Sequence, residues 1–444
     1  MQNESRLAVG ALLAGVLVVY LNALGGSFQF DDYNVIVHRP AVHSLEAWWT
    51  SMPGIRPLLK LSYTLNWMMD PGPGLFLAVN VVLHAVNAVL VFAIFRRLLD
   101  RMGMAEEAAR IAFWVAAMFA VHPAQTEAVT YISGRSVSMM ALFELGALYA
   151  WLKADGSSRA LCWRGNSVLL LILALAVKEN AWSLPFALLL CEALRPGWRW
   201  RSAMSRSAGH WLVLIVLAGV VVTVPGYWKL LEGSLATRTL WENLLTQVHG
   251  IFYLISVPLF SLQINIDPDL PAQVTWSAAL AAKAVILAAV LALAVWQWRR
   301  RPWLGFGVLW FFVMLLPTNS ILPRLDIAND RQLYLALIGP ALIVCVVICR
   351  ILTVRRMGRA LAPLVLLLGV ATVFRNADYE TELLLWQDTA ARSPRKARVF
   401  NNLGYAYQQA GRNDEARQAY LRALELDPAQ DKARFNLEVL PPSR

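Results

Sequence analysis

The feature that most constrains this chain is a succession of apolar stretches close to the length a helix needs to cross a bilayer. A hydrocarbon core about 30 Å thick takes roughly 20 helical residues. Eleven stretches read as spans: residues 7–24, 75–95, 111–129, 136–152, 167–177, 181–194, 211–228, 279–298, 304–317, 333–352 and 361–374. The expected fold class is all-α: a polytopic helical membrane protein with about 11 transmembrane helices. Residues 167–177 and 181–194 are short for independent spans and flank Lys178-Glu179, which suggests a tilted hairpin buried among other helices. Composition agrees, with 58% hydrophobic and 16% charged residues, against roughly 45–50% and about 25% in ordinary domains. That balance excludes a disordered chain and argues against a soluble enzyme.

The net charge of +11 could suggest a nucleic-acid partner, but the basic residues come in bursts between apolar stretches. Arg6 and the loops at 96–110, 153–164, 195–206, 299–301 and 350–359 hold 19 of the 40 lysines and arginines. Cytoplasmic loops carry such an excess, so the N-terminus is expected in the cytoplasm. An odd number of spans then puts the C-terminal tail outside. Residues 244–262 are also apolar, but a crossing there would place residues 299–301 outside. That segment reads as re-entrant or interfacial. The first span lacks a basic leader and a clear cleavage site, so it reads as an anchor. Cys162, Cys191, Cys345 and Cys349 fall in cytoplasmic loops or spans, implying neither a disulfide framework nor a thiolate metal site.

The sequence divides into a transmembrane domain, 1–374, and a polar, helix-favouring tail, 375–444. Residues 397–430 have the pattern of one 34-residue tetratricopeptide repeat. Leu403, Gly404 and Tyr407 mark its first helix, and Gly411 its turn. Ala416, Tyr420 and Ala423 mark the second helix, and Pro428 the stop. Trp386 and Pro394 fit the second helix of a preceding repeat, and residues 431–440 a capping helix. So short an array is expected to rest on the membrane domain, either as a structural cap or as a partner-binding groove.

The chemistry-bearing residues gather in the outer loops. The first, 25–74, contains Phe30-Asp31-Asp32 close behind the first span. Adjacent acids beside a membrane surface suit a general base or a metal ligand; a helix N-cap is the alternative. Arg56-Pro57-Leu58 supplies a guanidinium suited to phosphate, or an arginine snorkelling to headgroups. Asn80 and His84 share one face of the second span, where a helix–helix hydrogen bond competes with a functional role. His122-Pro123, Glu127 and Gly134-Arg135 lie between the third and fourth spans. Lys178-Glu179 is either functional or a buried ion pair holding helices in register. Pro317-Thr318-Asn319, Arg331 and Tyr334 follow at the same outer face. Structural polar residues would scatter to both membrane edges, so their shared side favours a site.

In order and spacing, this set resembles the transmembrane and tetratricopeptide-repeat O-mannosyltransferases, which are GT-C-type glycosyltransferases, and the resemblance runs nearly end to end. It implies a GT-C-like fold and an inverting transfer of a sugar from a polyprenyl-phosphate carrier. The acceptor would be a hydroxyl of a protein, or of an envelope glycan or lipid, at the extracytoplasmic face. It also implies Asp31 as base, with Asp32 orienting the acceptor or sharing that role. Arg56, His122, Arg135, Lys178 and Arg331 become donor-phosphate ligands. Glu127, Glu179, Tyr334, Asn80 and His84 become sugar- or acceptor-positioning residues. The tail could guide a protein acceptor. The compact chain suggests a bacterial inner membrane, with the tail in the periplasm.

Asp31, Asp32, His38, His43, His122 and Glu127 could supply ligands to a divalent metal, but no spacing approaches a strong metal motif, so no metal or other cofactor is expected. Two other readings use the same face. An oligosaccharide ligase drawing on diphosphate-linked glycans would also want outer arginines and histidines, though the paired acids behind the first span favour a monosaccharide transferase. A transporter or scaffold is the non-enzymatic option, but no duplicated half is visible and the charges lie at the rim rather than the midplane.

Overall fold

The computed structural model describes residues 2–52, 54–259, 264–352 and 354–441. Those residues form helices and connecting loops, with no strand among them. The eleven apolar stretches fall largely on helices, yet eleven crossings do not follow. Among the described residues, five helices are long and apolar enough to cross a membrane: Glu4–Gly25, Pro73–Arg101, Ala160–Val177, Ala278–Gln297 and Arg356–Asp378. Two bent pairs raise the number to seven if each is one span. They are Trp200–Arg206 with Ala208–Thr223, bent by 65°, and Asp330–Ala336 with Ile338–Leu352, bent by 54°.

The shortfall from eleven has physical causes. Ala108–Val121 and Pro302–Leu315 have 14 residues each, about 21 Å at the α-helical rise. The stretch at 111–129 breaks at His122-Pro123, where proline cannot continue the hydrogen-bond ladder, and resumes as the short turns Pro123–Gln125 and Thr126–Val129. Arg135–Lys153 covers the stretch at 136–152 but buries Arg135, Ser136, Ser138 and Glu144 among its apolar residues, as a core helix.

The hairpin expected around Lys178 is short on one side only. Its first helix begins at Ala160 and reaches Val177. Only 28% of that window is buried within the protein, so the helix turns an apolar flank outward instead of lying among others. The second helix, Leu184–Ala193, has 10 residues. The stretch at 244–262 forms part of a 20-residue helix, Leu240–Leu259, with Pro258 inside it; residues 260–262 lie outside the described residues.

Pro73–Arg101 is the central helix, buried along Phe76, Leu77, Asn80, His84, Asn87 and Phe95. Small residues bring other helices close together, as is common within bilayers. A β-carbon on Gly339 would lie 2.2 Å from the Gly307 carbonyl oxygen, so Ile338–Leu352 crosses Pro302–Leu315 almost backbone to backbone. In the tail, Ala397–Gln409 and Asn413–Leu426 form the helix pair of the repeat. A β-carbon on Gly404 would lie 2.6 Å from the Tyr420 ring. Glu382–Arg392 packs before this pair and Asp431–Glu438 after it.

The tail docks on the loop that follows the first apolar helix and on the loop around 265. Ser27 N–H donates to the Glu380 carbonyl at 3.2 Å, and the Gln29 amide donates to the Tyr379 carbonyl. Phe30 N–H donates to Glu382 Oε1 at 3.3 Å, and its ring meets Trp386 edge-on at 5.2 Å. Asn265 Nδ2 donates to Ser393 Oγ at 2.8 Å. One face of the molecule therefore carries the loop 25–74, the loops around 265 and 326, and the tail.

Candidate functional site

The site begins with the chain leaving the first apolar helix. Phe30 adopts φ 47°, a left-handed conformation that costs a non-glycine residue roughly 1–2 kcal/mol. The bonds to Glu382 and Trp386 hold it there, and the two acids that follow are turned apart.

Asp32 is fully buried. Its Oδ2 accepts from Gln29 N–H at 3.0 Å, and its Oδ1 accepts from Ser133 N–H at 2.8 Å and from the Ser133 hydroxyl. Burial pushes this carboxyl up to about 7 despite those donors. Asp31 is half-buried, and its N–H donates to the Tyr131 hydroxyl at 3.0 Å. Burial raises its carboxyl and the charge of Arg331 opposes the rise. The geometry thus separates the pair. Asp32 ties the loop 25–74 to the turn at 132–134, and Asp31, bonded through its N–H to Tyr131, feels the charge of Arg331.

Arg331 stands at the centre of the charged residues. Its N–H donates to Glu127 Oε2 at 2.9 Å, its Nε lies 3.3 Å from Glu127 Oε1, and one terminal nitrogen lies 3.5 Å from Asp326. Burial pushes the Glu127 carboxyl up, and Arg331 pulls against it. Arg331 lines a cavity together with Lys178, Arg324, Asn180, Thr318 and Tyr334. Burial, followed by the charges of Arg331, Arg56 and Arg324, pushes the Lys178 amine well below its ordinary value. Arg56, itself at φ 55°, makes a two-pronged pair with Glu179, Nε to Oε2 at 3.0 Å and a terminal nitrogen to Oε1 at 2.6 Å. Burial alone would raise Glu179, but Arg56 outweighs it and holds the carboxyl at about 2.

Four further predicted residues sit in the packing. Arg135 is fully buried. It donates to Asn80 Oδ1 at 2.8 Å, Asn66 Oδ1 at 2.6 Å, the Ser62 carbonyl at 3.2 Å and the Phe76 carbonyl at 2.8 Å, and it lies against the Tyr63 and Phe76 rings. Asn80 also donates to the Val129 carbonyl at 3.2 Å. His84 Nε2 meets the Ala120 carbonyl at 2.9 Å, so that nitrogen carries the proton and Nδ1 accepts from the Tyr334 hydroxyl at 2.8 Å. His122 accepts from Ala124 N–H at 3.1 Å, capping the turn at Pro123. Tyr334 belongs to both settings, with its hydroxyl on His84 and its side chain at the cavity.

Of the residues weighed for a metal, His43 stacks on Trp67 at 3.9 Å and His38 packs near Tyr33. Among the described residues no three His, Cys, Asp or Glu side chains converge as a metal ion would require.

The structure adds Arg324, Asp326 and Arg398, which sequence reasoning missed. Arg398, on the first repeat helix, donates to Asp267 at 2.9 and 2.5 Å and to Asp326 at 2.7 Å. A chain of ion pairs thus runs from the tail through Asp326 to Arg331. No spacing motif marks these residues.

The tetratricopeptide repeat family model matches residues 397–430. The Caenorhabditis elegans protein named protein O-mannosyl-transferase F38B6.6 is 26% identical, the match covering 95% of this chain and 63% of that protein. Mouse protein O-mannosyl-transferase TMTC3 is 22% identical over 97% of this chain and 52% of its own length. Drosophila protein O-mannosyl-transferase Tmtc1 is 34% identical over a shorter match, 40% of this chain and 22% of that protein. No solved structure matches the chain. Nearly the whole chain is therefore homologous to proteins named protein O-mannosyl-transferases, and it spans about half to two-thirds of the length of the two it matches end to end.

Proposed function

We propose that this chain is an inverting glycosyltransferase that moves a sugar, mannose in the first instance, from a polyprenyl-phosphate carrier to a hydroxyl of a protein acceptor. The observation that supports this reading is the cluster in which Arg331, paired with Glu127 and Asp326, lines a cavity with two more cations, Lys178 and Arg324; Asp31 lies near enough for the charge of Arg331 to act on its carboxyl. Homology to proteins named O-mannosyl-transferases supports the reaction class.

In this mechanism Asp31 removes the proton from the acceptor hydroxyl as its oxygen attacks the anomeric carbon. The bond from that carbon to the carrier phosphate breaks on the opposite face, and the phosphate departs with the electron pair. Fixed cations where that charge develops lower the barrier. Arg331 takes this role, oriented by Glu127 and Asp326, with Lys178 and Arg324 beside it. A phosphate at this place offsets the mutual repulsion of the cations and restores the charge of Lys178. Arg56 and Glu179 set the position of the Lys178 turn. Asp32, Asn80, His84, His122 and Arg135 act as scaffold. The docked tail is positioned to present a protein acceptor. Basic loops orient the site to the extracytoplasmic side, the periplasm if the membrane is a bacterial inner one.

The test uses purified protein in nanodiscs, radiolabelled polyprenyl-phosphate mannose and a Ser/Thr-rich polypeptide. Loss of a positioned general base costs about 10²–10⁴ in rate, so Asp31→Asn should lose at least a hundredfold while remaining folded. Transfer that survives Asp31→Asn unchanged removes the assigned base.

A further inference from the structure

A second cavity, a groove of about 1130 Å³, opens between the start of the first apolar helix, the end of Pro73–Arg101 and the start of Ala108–Val121. It lies away from the candidate site: Arg96, which lines it, stands about 24 Å beyond Asn80 along the central helix at the α-helical rise. Pockets for drug-sized ligands hold roughly 300–1,000 Å³, so this groove has room for a larger body. Its lining changes character in the same direction on each helix. On the central helix Phe92 and Ala93 give way to Arg96, Arg97 and Asp100 towards the end. The other two helices run the opposite way, so their charged residues come first: Glu4 before Leu7 and Val9, and Glu106 and Arg110 before Phe113 and Trp114. All three therefore put apolar walls at depth and charge at the rim.

The rim has an order of its own. On the central helix Arg96 and Arg97 lie about one turn nearer the apolar wall than Asp100, and Arg110 lies about one turn nearer than Glu106. Arg96 donates to the Ser5 hydroxyl at 2.7 Å, and Arg97 lies over the Tyr149 ring at 5.6 Å. Among the described residues Arg97, Arg110, Asp100 and Glu106 form no ion pair. From depth to rim the groove is thus apolar, then cationic, then anionic. Acyl chains, a phosphate and a terminal ammonium follow one another in the same order. Basic pockets between membrane helices take phospholipid headgroups, and guanidinium groups suit phosphate. The outer acids narrow the choice. A glycerol head brings them no positive charge, and a trimethylammonium head has no N–H to donate. A primary ammonium carries charge and three donors.

We propose that this groove binds a phospholipid of the phosphatidylethanolamine type, with its chains along Val9 and Phe113, its phosphate on Arg97 and Arg110, and its ammonium on Asp100 and Glu106. The site is independent of the transfer chemistry at the other end of the molecule. It ties the first apolar helix to the two helices that carry Asn80, His84 and His122.

The full chain in detergent micelles is mixed with equal amounts of dioleoyl phosphatidylethanolamine, phosphatidylcholine and phosphatidylglycerol, and retained lipid is counted by native mass spectrometry. The ethanolamine lipid should be held about tenfold more tightly than the choline lipid, the scale of losing a charge-assisted hydrogen bond. Asp100→Asn with Glu106→Gln should bring that ratio close to one. Arg97→Gln with Arg110→Gln should weaken all three lipids, and Arg299→Gln, outside the groove, should change none. Ala8→Trp fills the groove and should release the lipid whatever its head. Equal retention of ethanolamine and choline lipids by the wild type, or a ratio that survives the double acid variant, removes the headgroup site. Preference for the glycerol lipid makes the groove an anionic-lipid site and overturns the assignment. Retention unchanged by Ala8→Trp puts the lipid elsewhere.

Discussion

The ion-pair chain from the tail to Arg331 makes a sharp prediction for Arg398→Met. The substitution keeps the aliphatic stem and removes three hydrogen bonds, two to Asp267 and one to Asp326. Asp267, 5% exposed in its side chain, retains Lys396 at 2.5 Å. Among the described residues, Asp326 then keeps Arg331 at 3.5 Å as its ion-pair partner. Breaking a fully buried pair costs about 3–5 kcal/mol, whereas exposed pairs are worth roughly 0–1. Arg398 and Asp326 are 29% and 28% exposed, so about 2–3 kcal/mol is expected. At 1.4 kcal/mol per factor of ten, the ratio of docked to undocked tail falls roughly 30- to 150-fold. Hydrogen exchange on the full chain in nanodiscs measures this directly, as lost protection in residues 264–270 and 324–332. Arg395→Met is the control, since Arg395 is 77% exposed and, among the described residues, forms an ion pair with Asp269 alone. Catalytic efficiency for the donor should fall with the Arg398 change and hold with the control. If the two variants behave alike, or the loops keep their protection, the tail does not hold Arg331.

Other expectations follow from the same contacts. Asp32→Ala orphans three donors, and at about 1–3 kcal/mol for each unsatisfied buried group it should lower the unfolding temperature clearly, whereas Asp31→Asn should not. The Asp32 carboxyl is raised in the folded state to about 7, so its contribution to stability is fullest below about pH 4 and is lost as pH rises through 7. The stability difference between wild type and Asp32→Ala should therefore shrink across that window. Because burial raises the Asp31 carboxyl as well, transfer should fall with decreasing pH at a pH above that of an ordinary aspartate, an acid limb that a pH–rate profile reads. Glu127→Gln loosens Arg331 and should lower the rate of transfer more than acceptor affinity. Gly339→Val drives a β-carbon into the Gly307 carbonyl and should cost about 1–3 kcal/mol or more, seen as a lower unfolding temperature with no change in Asp31 chemistry.

Much of this arrangement was legible in the sequence, and the part that was not has a common cause. Apolar runs gave the helices because a helix leaves its length and period in local sequence. The repeat was readable because Gly404 and Tyr420 answer one another at fixed spacing. Crossing number was harder, because Arg135–Lys153 is apolar enough to resemble a span until its partners are seen. Asp31, Lys178 and Arg331 were singled out from residue type and shared face, and the structure brings Lys178 and Arg331 to one cavity. The role of Arg135 depended on Asn66, Asn80 and Phe76, supplied by another part of the chain. Arg324, Asp326 and Arg398 were invisible for the converse reason: each is a lone residue whose meaning comes from neighbours far away in sequence.

The docking of the tail on the first outer loop also has a temporal consequence. Gln29 and Phe30 find their partners 350 and 352 residues later, and Arg331 is completed by a residue on the repeat. Closing a loop of that length costs entropy that grows only slowly with its size, but the partner must first exist. During synthesis the apolar helices can enter the membrane in order, while Phe30 has nothing to hold its left-handed conformation and Asp326 lacks Arg398. These contacts are therefore made last, after synthesis has passed residue 398.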